Sequence, residues 1–373
     1  MRVRALVKGE GMLGKAACFI LLALIVLAAY AGDSHATKFA GEFLQTGIGA
    51  KALAMGGAYV SVADDASATY WNPAGLVGQE RRQLLLMHSE RFGDLIDYNS
   101  GVFSRPLSTE EGKESAGGIS IVWLRVSDIG FTSHLNEPDV DFVDENGDGV
   151  WNPGERRIYN PDRIQWKSDN EVAGWLSYGR RVSPDLVLGI NGKVIWKGIG
   201  DVSATGFGLD LSCMYDIMEN WKLGVNLQDA TTTPLYWSGW YNTVEIVDST
   251  STNVRHKVST KETIYPTFKV GTSYAVISES ISGSVLLALD VDFKFEGLDG
   301  NEADFTLGDT VSGDVMLGAR YRYKDIVHVS AGMSRQQPTG GIGVRVANFD
   351  FDYAFWPHES LDNTHRISLT VSF

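Results

Sequence analysis

Cysteine is nearly absent: Cys18 and Cys213 are the two in 373 residues, too few for a disulfide framework to carry a fold of this size. A basic excess is absent too. Lysine and arginine number 32 against 46 aspartates and glutamates, a formal charge of −14, which argues against nucleic acid as a partner and fits a surface that meets divalent cations. There is no GxSxG nucleophile elbow, and His88, His134, His256, His328, His358 and His365 are scattered without the spacing of a metal site. "GGIGVR" at 340–345 is rich in glycine but lies inside a strand pattern, so it does not cradle a phosphate at a helix start. With no catalytic constellation, the chain is not expected to be an enzyme. Past the first 36 residues no apolar run has the length of a membrane helix. If this protein sits in a membrane, it does so as strands.

The N-terminus carries Arg2, Arg4, Lys8 and Lys15, then the apolar run "AACFILLALIVLAAYAG", then Ser34-His35-Ala36. Basic start, short apolar stretch and small residues at −3 and −1 form a secretory signal, with cleavage expected before Thr37. Cys18 leaves with it, and the remainder is more acidic than the whole chain.

From about residue 81 the sequence alternates. In "THRISLTVSF", His365, Ile367, Leu369, Val371 and Phe373 share one face while Thr364, Arg366, Ser368, Thr370 and Ser372 share the other. "NWKLGVNLQD" sets Trp221, Leu223, Val225 and Leu227 against Lys222, Gly224, Asn226 and Gln228. Period two over about ten residues is strand pattern. Fourteen such segments are expected, near 82–92, 98–107, 117–127, 169–181, 185–198, 203–216, 220–229, 265–276, 284–295, 313–324, 326–335, 340–347, 348–356 and 364–373. Long connections, near 128–168, 230–264 and 296–312, all follow odd-numbered strands, whereas those after even-numbered strands are short, such as "SPD" at 183–185. An up-and-down membrane barrel with external loops and short periplasmic turns segregates its connections in this way. A soluble sandwich would also alternate. The even strand count, the export signal, the aromatics at strand ends (Trp196, Tyr215, Trp221, Tyr323, Phe355) and the closing Phe373 favour the barrel. The fold class is thus all-β, a fourteen-stranded antiparallel transmembrane barrel in the bacterial outer membrane, expected as a monomer in contact with lipid.

Ahead of the strands stands "GAKALAMGGAYVSVADDASATYWNPAGL" at 49–76, too poor in bulky side chains to build a core by itself. With "VIWKGIGDVSATGFGLDLS" (194–212) and "FDFDYAFWPHESLDNTHRISLTVSF" (349–373), it resembles the PorV/PorQ family, outer-membrane barrels related to the FadL-type transporters of long-chain fatty acids. The resemblance implies a barrel of fourteen strands with an N-terminal segment, here 37–80, tucked into the lumen as a hatch. It assigns Asn72, Pro73 and Ala74 to that hatch. A barrel this wide encloses more space than its inward side chains fill. Asp64 and Asp65 are expected to meet inward Lys193, Lys222, Arg320 or Arg345, and Asp65 to cap a short helix that Asn72-Pro73 ends. Two functions follow from the resemblance: passage or binding of hydrophobic small molecules, or receipt and shuttling of secreted proteins in type IX secretion.

"DENGDGVWNPGE", 144–155, fits the twelve-residue calcium loop. Asp144, Asn146 and Asp148 stand at positions 1, 3 and 5, Gly149 at 6, the Val150 carbonyl at 7, Asn152 at 9 and Glu155 at 12. Its flanks are not helical, so a lone structural calcium ion is expected in the first long external loop.

Overall fold

The structure, a computed structural model, describes residues 40–373 apart from 92, 94, 133–139, 150, 151, 153, 154, 160, 161, 163, 248, 249, 279, 281, 296–302, 308–310 and 358–362. The signal region and Val150 of the calcium loop lie outside the described residues.

Fourteen strands form one closed ring. In chain order they are β1 (Gln83–Arg91), β2 (Ile96–Ser108), β3 (Ser115–Phe131), β4 (Gln165–Ser183), β5 (Leu186–Ile199), β6 (Val202–Met218) and β7 (Trp221–Gln228). There follow β8 (Thr267–Ser278), β9 (Gly283–Lys294), β10 (Val311–Tyr323), β11 (Val327–Ser334), β12 (Gln337–Val346), β13 (Phe349–Trp356) and β14 (Thr364–Ser372). Each pairs antiparallel with its neighbours, and β1 closes on β14 from Gln83↔Ser372 to Glu90↔His365. A closed ring leaves no unpaired edge, which is what lets strands cross a bilayer.

Alternation runs inside out relative to a soluble protein. On β14, Thr364, Arg366, Ser368 and Thr370 are buried while Ile367 is 60% exposed. On β3, Ile119, Ile121 and Trp123 face out and Ser120, Val122 and Leu124 face in. Exposed aromatics form levels: Trp123 and Trp196 stand in one cross-strand row with Val172 between them. At the short-turn end Trp221 lies directly opposite Tyr274. Such rings mark membrane interfaces.

The wall is uneven in height. β3 and β4 have 17 and 19 residues, whereas β11 and β13 have 8 each. The stretch 230–264, expected as a loop, is instead a hairpin of strands Thr233–Val247 and Thr250–Ile264. It continues the line of β7 and β8, and Leu235–Gly239 pair with Gly206–Val202 of β6. Asp229 and Thr232 take positive φ at the junction, where the chain leaves β7 before the hairpin begins. A short ladder, Val140–Phe142 with Arg157–Tyr159, lies between β3 and β4, and Phe305–Leu307 pairs with the start of β10.

Residues 40–79 lie inside the ring as short helical turns at Glu42–Thr46, Ala50–Leu53, Ala68–Trp71 and Pro73–Gly78. Their contacts fix the position. A Cβ on Gly189 of β5 would fall 2.2 Å from Ala74 N, and one on Gly332 of β11 would fall 2.2 Å from Gly56 N. β5 and β11 stand six strands apart on a ring of fourteen, so this segment spans the lumen from wall to wall. The hydrophobic core is the meeting of the segment with the inner wall, where Ile48, Met55, Tyr59 and Leu76 are fully buried.

Candidate functional site: the luminal segment and its cavity

Short helical turns leave many backbone groups without an internal partner, and inside the barrel these must be satisfied by side chains. The inward polar residues of the wall do this. Asp290 accepts from the backbone N–H of Tyr59 at 2.6 Å and of Val60 at 2.7 Å. Asn191 donates to Thr69 O, Asn226 to Trp71 O and Gln228 to Tyr70 O. Arg320 donates to Lys51 O, Thr339 to Ala54 O and Ser273 to Ser61 O, while Ser368 accepts from Ala50 N. The segment is tied down on all sides by residues far from it in sequence.

Asn72 joins both parts. It is fully buried; its amide donates to Val60 O at 2.8 Å and to Cys213 O of the wall at 3.1 Å, and its Oδ1 accepts from Ala74 N. Its backbone is extended, φ −166 and ψ 100, as the residue before Pro73 must be. Ala74 N also donates to Ser212 Oγ of the wall at 3.2 Å. Tyr70 and Trp71 meet edge to face at 5.0 Å, and Tyr70 packs on Trp175 of the wall at 5.8 Å. The Tyr70 hydroxyl donates to Leu44 O and Trp71 Nε1 to Ile48 O, so this aromatic pair holds the first part of the segment against the third turn.

The acidic pair behaves otherwise than expected. Asp65 is buried and pairs with Lys51 of its own segment at 3.1 Å, while Asp64 is largely exposed and stands 3.9 Å from the same ammonium. Two of the expected wall cations are paired with carboxylates outside the segment: Lys193 lies 2.6 Å from Asp229 and 3.3 Å from Asp210, and Arg345 pairs with Asp350. Arg320 reaches the segment through a backbone carbonyl. Nor does Asp65 cap the helix that begins at Ala68; its carboxylate accepts from the Ser67 backbone N–H and hydroxyl just ahead of it. Burial pushes the Asp65 carboxyl up, but Lys51 and the Ser67 hydroxyl outweigh this and hold it down at about 2. Burial likewise disfavours the Lys51 charge, and Tyr59 with Asp65 and Asp64 more than restores it, so its proton is held above the usual lysine range. The two charges stabilise each other within the segment.

Two cavities flank the segment. At the long-loop end lies one of about 520 Å³ whose apolar lining includes Phe43, Leu53, Trp71, Ile264, Met316 and Trp356. The charged groups around it are mostly paired, Lys269 with Asp292, Lys294 and Arg335 with Asp314, and Lys197 with Glu171. At the short-turn end a cavity of about 290 Å³ touches Ser61, Val62 and Asp64.

In the connection between β3 and β4, Asp144 accepts from Gly147 N and Gly149 N, Asp148 from the amides of Asn146 and Asn152, and Glu155 from Glu145 N and Asn152 N. The five described side chains of the expected calcium loop are thus gathered by one turn, and each brings an oxygen, the donor class a hard cation takes. Among the described residues no three His, Cys, Asp or Glu are grouped closely enough to hold a metal ion.

No protein-family model and no curated protein sequence matches the chain. Solved structures are similar in fold. The Pseudomonas putida toluene transporter TodX aligns with a TM-score of 0.58 at 13% identity, over 88% of this chain and 99% of that one. The Ralstonia pickettii toluene transporter TbuX gives 0.55 at 14%, over 88% and 98%. A Pseudomonas aeruginosa FadL homologue gives 0.51 at 11%, over 85% and 95%. The fold is therefore that of the FadL-type outer-membrane barrels.

Proposed function

We propose that this protein is an outer-membrane barrel, exported by cleavage before Thr37, that binds or passes hydrophobic small molecules and is not an enzyme. The observation that carries the reading is the pair of cavities separated by a buried segment: a compartment with an apolar wall on one side, a second compartment on the other, and a closure between them. FadL-type neighbours include transporters of toluene, which agrees with this class of cargo. In this reading the luminal segment is a hatch, with Asn72, Pro73 and Ala74 as its seat on the wall and Asp64 and Asp65 carrying its charge. The barrel works as a monomer surrounded by lipid. The motifs at 49–76, 194–212 and 349–373 support placement near the PorV/PorQ branch; no observation here favours receipt of secreted proteins over small-molecule passage.

Toluene is a suitable probe. Cells making the protein should take it up faster than cells without it, and Met316→Trp, which fills the larger cavity, should slow uptake toward that background. Uptake equal with and without the protein would overturn the reading.

Calcium at Asp144, Asn146, Asp148, Val150, Asn152 and Glu155 belongs to the same reading as a structural ion of the external loop, supported by the oxygen-rich turn. Calorimetry should show calcium binding that Glu155→Gln weakens, with the barrel intact; equal binding by both proteins would remove the assignment.

A further inference from the structure

The hairpin of Thr233–Val247 and Thr250–Ile264 has two unlike faces. Residues directly opposite in an antiparallel pair share a face, so the pairings Tyr236↔Lys261, Ser238↔Ser259, Trp240↔Lys257 and Asn242↔Arg255 define one of them. All eight side chains are exposed. The other face holds Leu235 opposite Glu262, with Trp237 and Ile264, and is turned toward the lumen and covered. The outward face therefore carries Lys261, Lys257 and Arg255 and no acid between Tyr236 and Asn242 or between Arg255 and Lys261, in a chain whose formal charge is −14. Among the described residues none of the three cations has an ion-pair partner. Elsewhere at this end of the barrel outward charge is balanced: Arg125 stands opposite Asp97 and Asp97 opposite Glu90.

The depth of this face in the membrane follows from the register. The row of Trp123, Val172 and Trp196 continues through Thr205 of β6 to Tyr236 and then to Lys261. Lys261 thus lies at the level of the aromatic girdle, where hydrocarbon gives way to headgroups. Lys257 is about 13 Å further along the strand and Arg255 about 20 Å, which at the tilt of barrel strands is about 9–11 Å and about 14–16 Å outward. The three charges form a ladder from headgroup depth to the surface of the leaflet. Trp240, 42% exposed, stands among them, and the Arg255 guanidinium lies over its ring at 4.7 Å. Stacking on an aromatic face leaves the N–H edge of the guanidinium free for a bidentate oxyanion. Ser238 and Ser259 add two hydroxyl donors between the lysines.

We propose that the outward face of this hairpin docks the phosphate-bearing headgroup of a glycolipid in the surrounding outer leaflet, with Lys261, Lys257 and Arg255 on its phosphates and Tyr236 and Trp240 against its apolar parts. Three unpaired cations complement a headgroup with more than one negative charge, and continuity with the girdle places that headgroup in the bilayer next to the wall. The surface lies outside the barrel and does not depend on hydrophobic passage through the lumen.

The test uses the full-length protein in a non-ionic detergent, titrated with lipid A carrying two phosphates and with the same glycolipid after dephosphorylation, binding being followed by microscale thermophoresis. The phosphorylated form should bind saturably, and the dephosphorylated form about tenfold more weakly or worse. Replacing all three cations, Arg255→Gln with Lys257→Gln and Lys261→Gln, should weaken binding of the phosphorylated form at least about tenfold, since a cation near an anionic lipid surface contributes about fivefold. Lys113→Gln, at the short-turn end, should leave it unchanged, which separates this face from net charge. Inorganic phosphate in millimolar amounts should not compete, because a lipid and not a free anion is the ligand. Toluene uptake should be the same in the triple variant, so that loss of uptake and loss of lipid binding are read apart. Equal binding by wild type and triple variant, equal binding of the two lipid forms, or displacement by inorganic phosphate would each overturn the proposal.

Discussion

The wall and the segment it encloses solve opposite problems. Wall strands pair their backbone groups with each other along the ladders, so their side chains are free to specialise, apolar toward lipid and polar toward the lumen. The luminal segment has apolar side chains, Ala50, Leu53, Met55 and Ala58 among them, but a backbone of broken turns with groups to satisfy. Each supplies what the other lacks. Polar side chains of the wall bind the backbone of the segment, and small side chains of the segment let the two backbones approach. Asn191, Asn226, Asp290 and Arg320 of the wall, all buried, each spend at least one hydrogen bond on the backbone of the segment.

The comparison can be broken first by sterics. A Cβ at Gly189 would lie 2.2 Å from Ala74 N and 2.7 Å from the Pro73 carbonyl carbon, backbone atoms with little freedom to move. Gly189→Val should therefore dislodge the 72–76 turn while β5 stays paired, a local cost of about 1–3 kcal/mol. Protease cleavage within 40–79 should appear in the variant, with heat-modifiable gel mobility of the barrel retained. Unchanged protection would mean that the contact is not tight.

A smaller effect should come from Asp290→Asn. The carboxylate holds two neighbouring amides at once, and the replacement keeps the volume but loses the charge-assisted bonds, worth about 1–3 kcal/mol together. Amide hydrogen exchange at Tyr59 and Val60 should quicken, and that of the strands should not. Equal exchange at Tyr59 in both proteins would show that the wall does not anchor the segment there.

Much of this was legible in the sequence, for a physical reason. Strands such as Trp221–Gln228 and Thr364–Ser372 are read from period two, because lipid on one side and lumen on the other impose it at each residue. The turn at Asn72-Pro73 was legible from the restriction that proline places on its predecessor. The hairpin at 233–264 was not, since most of it continues beyond the level where β6 supports it and nothing enforces the alternation there. Nor was the partner of Asp65. Sequence shows which cations face inward, but not that Asp210 and Asp229 have already taken Lys193, which leaves Lys51 nearby in the segment. Asp290 and Arg366 were visible only as inward polar residues; their roles depend on which backbone groups the fold brings opposite them.

Deleting residues 40–76 tests the central claim most directly, that the luminal segment closes the barrel and the ring stands without it. In planar bilayers the deleted protein should form steady open channels where the full chain forms none, while still migrating as a folded barrel before boiling. Conductance indistinguishable from the full chain, with the barrel folded, would contradict the account.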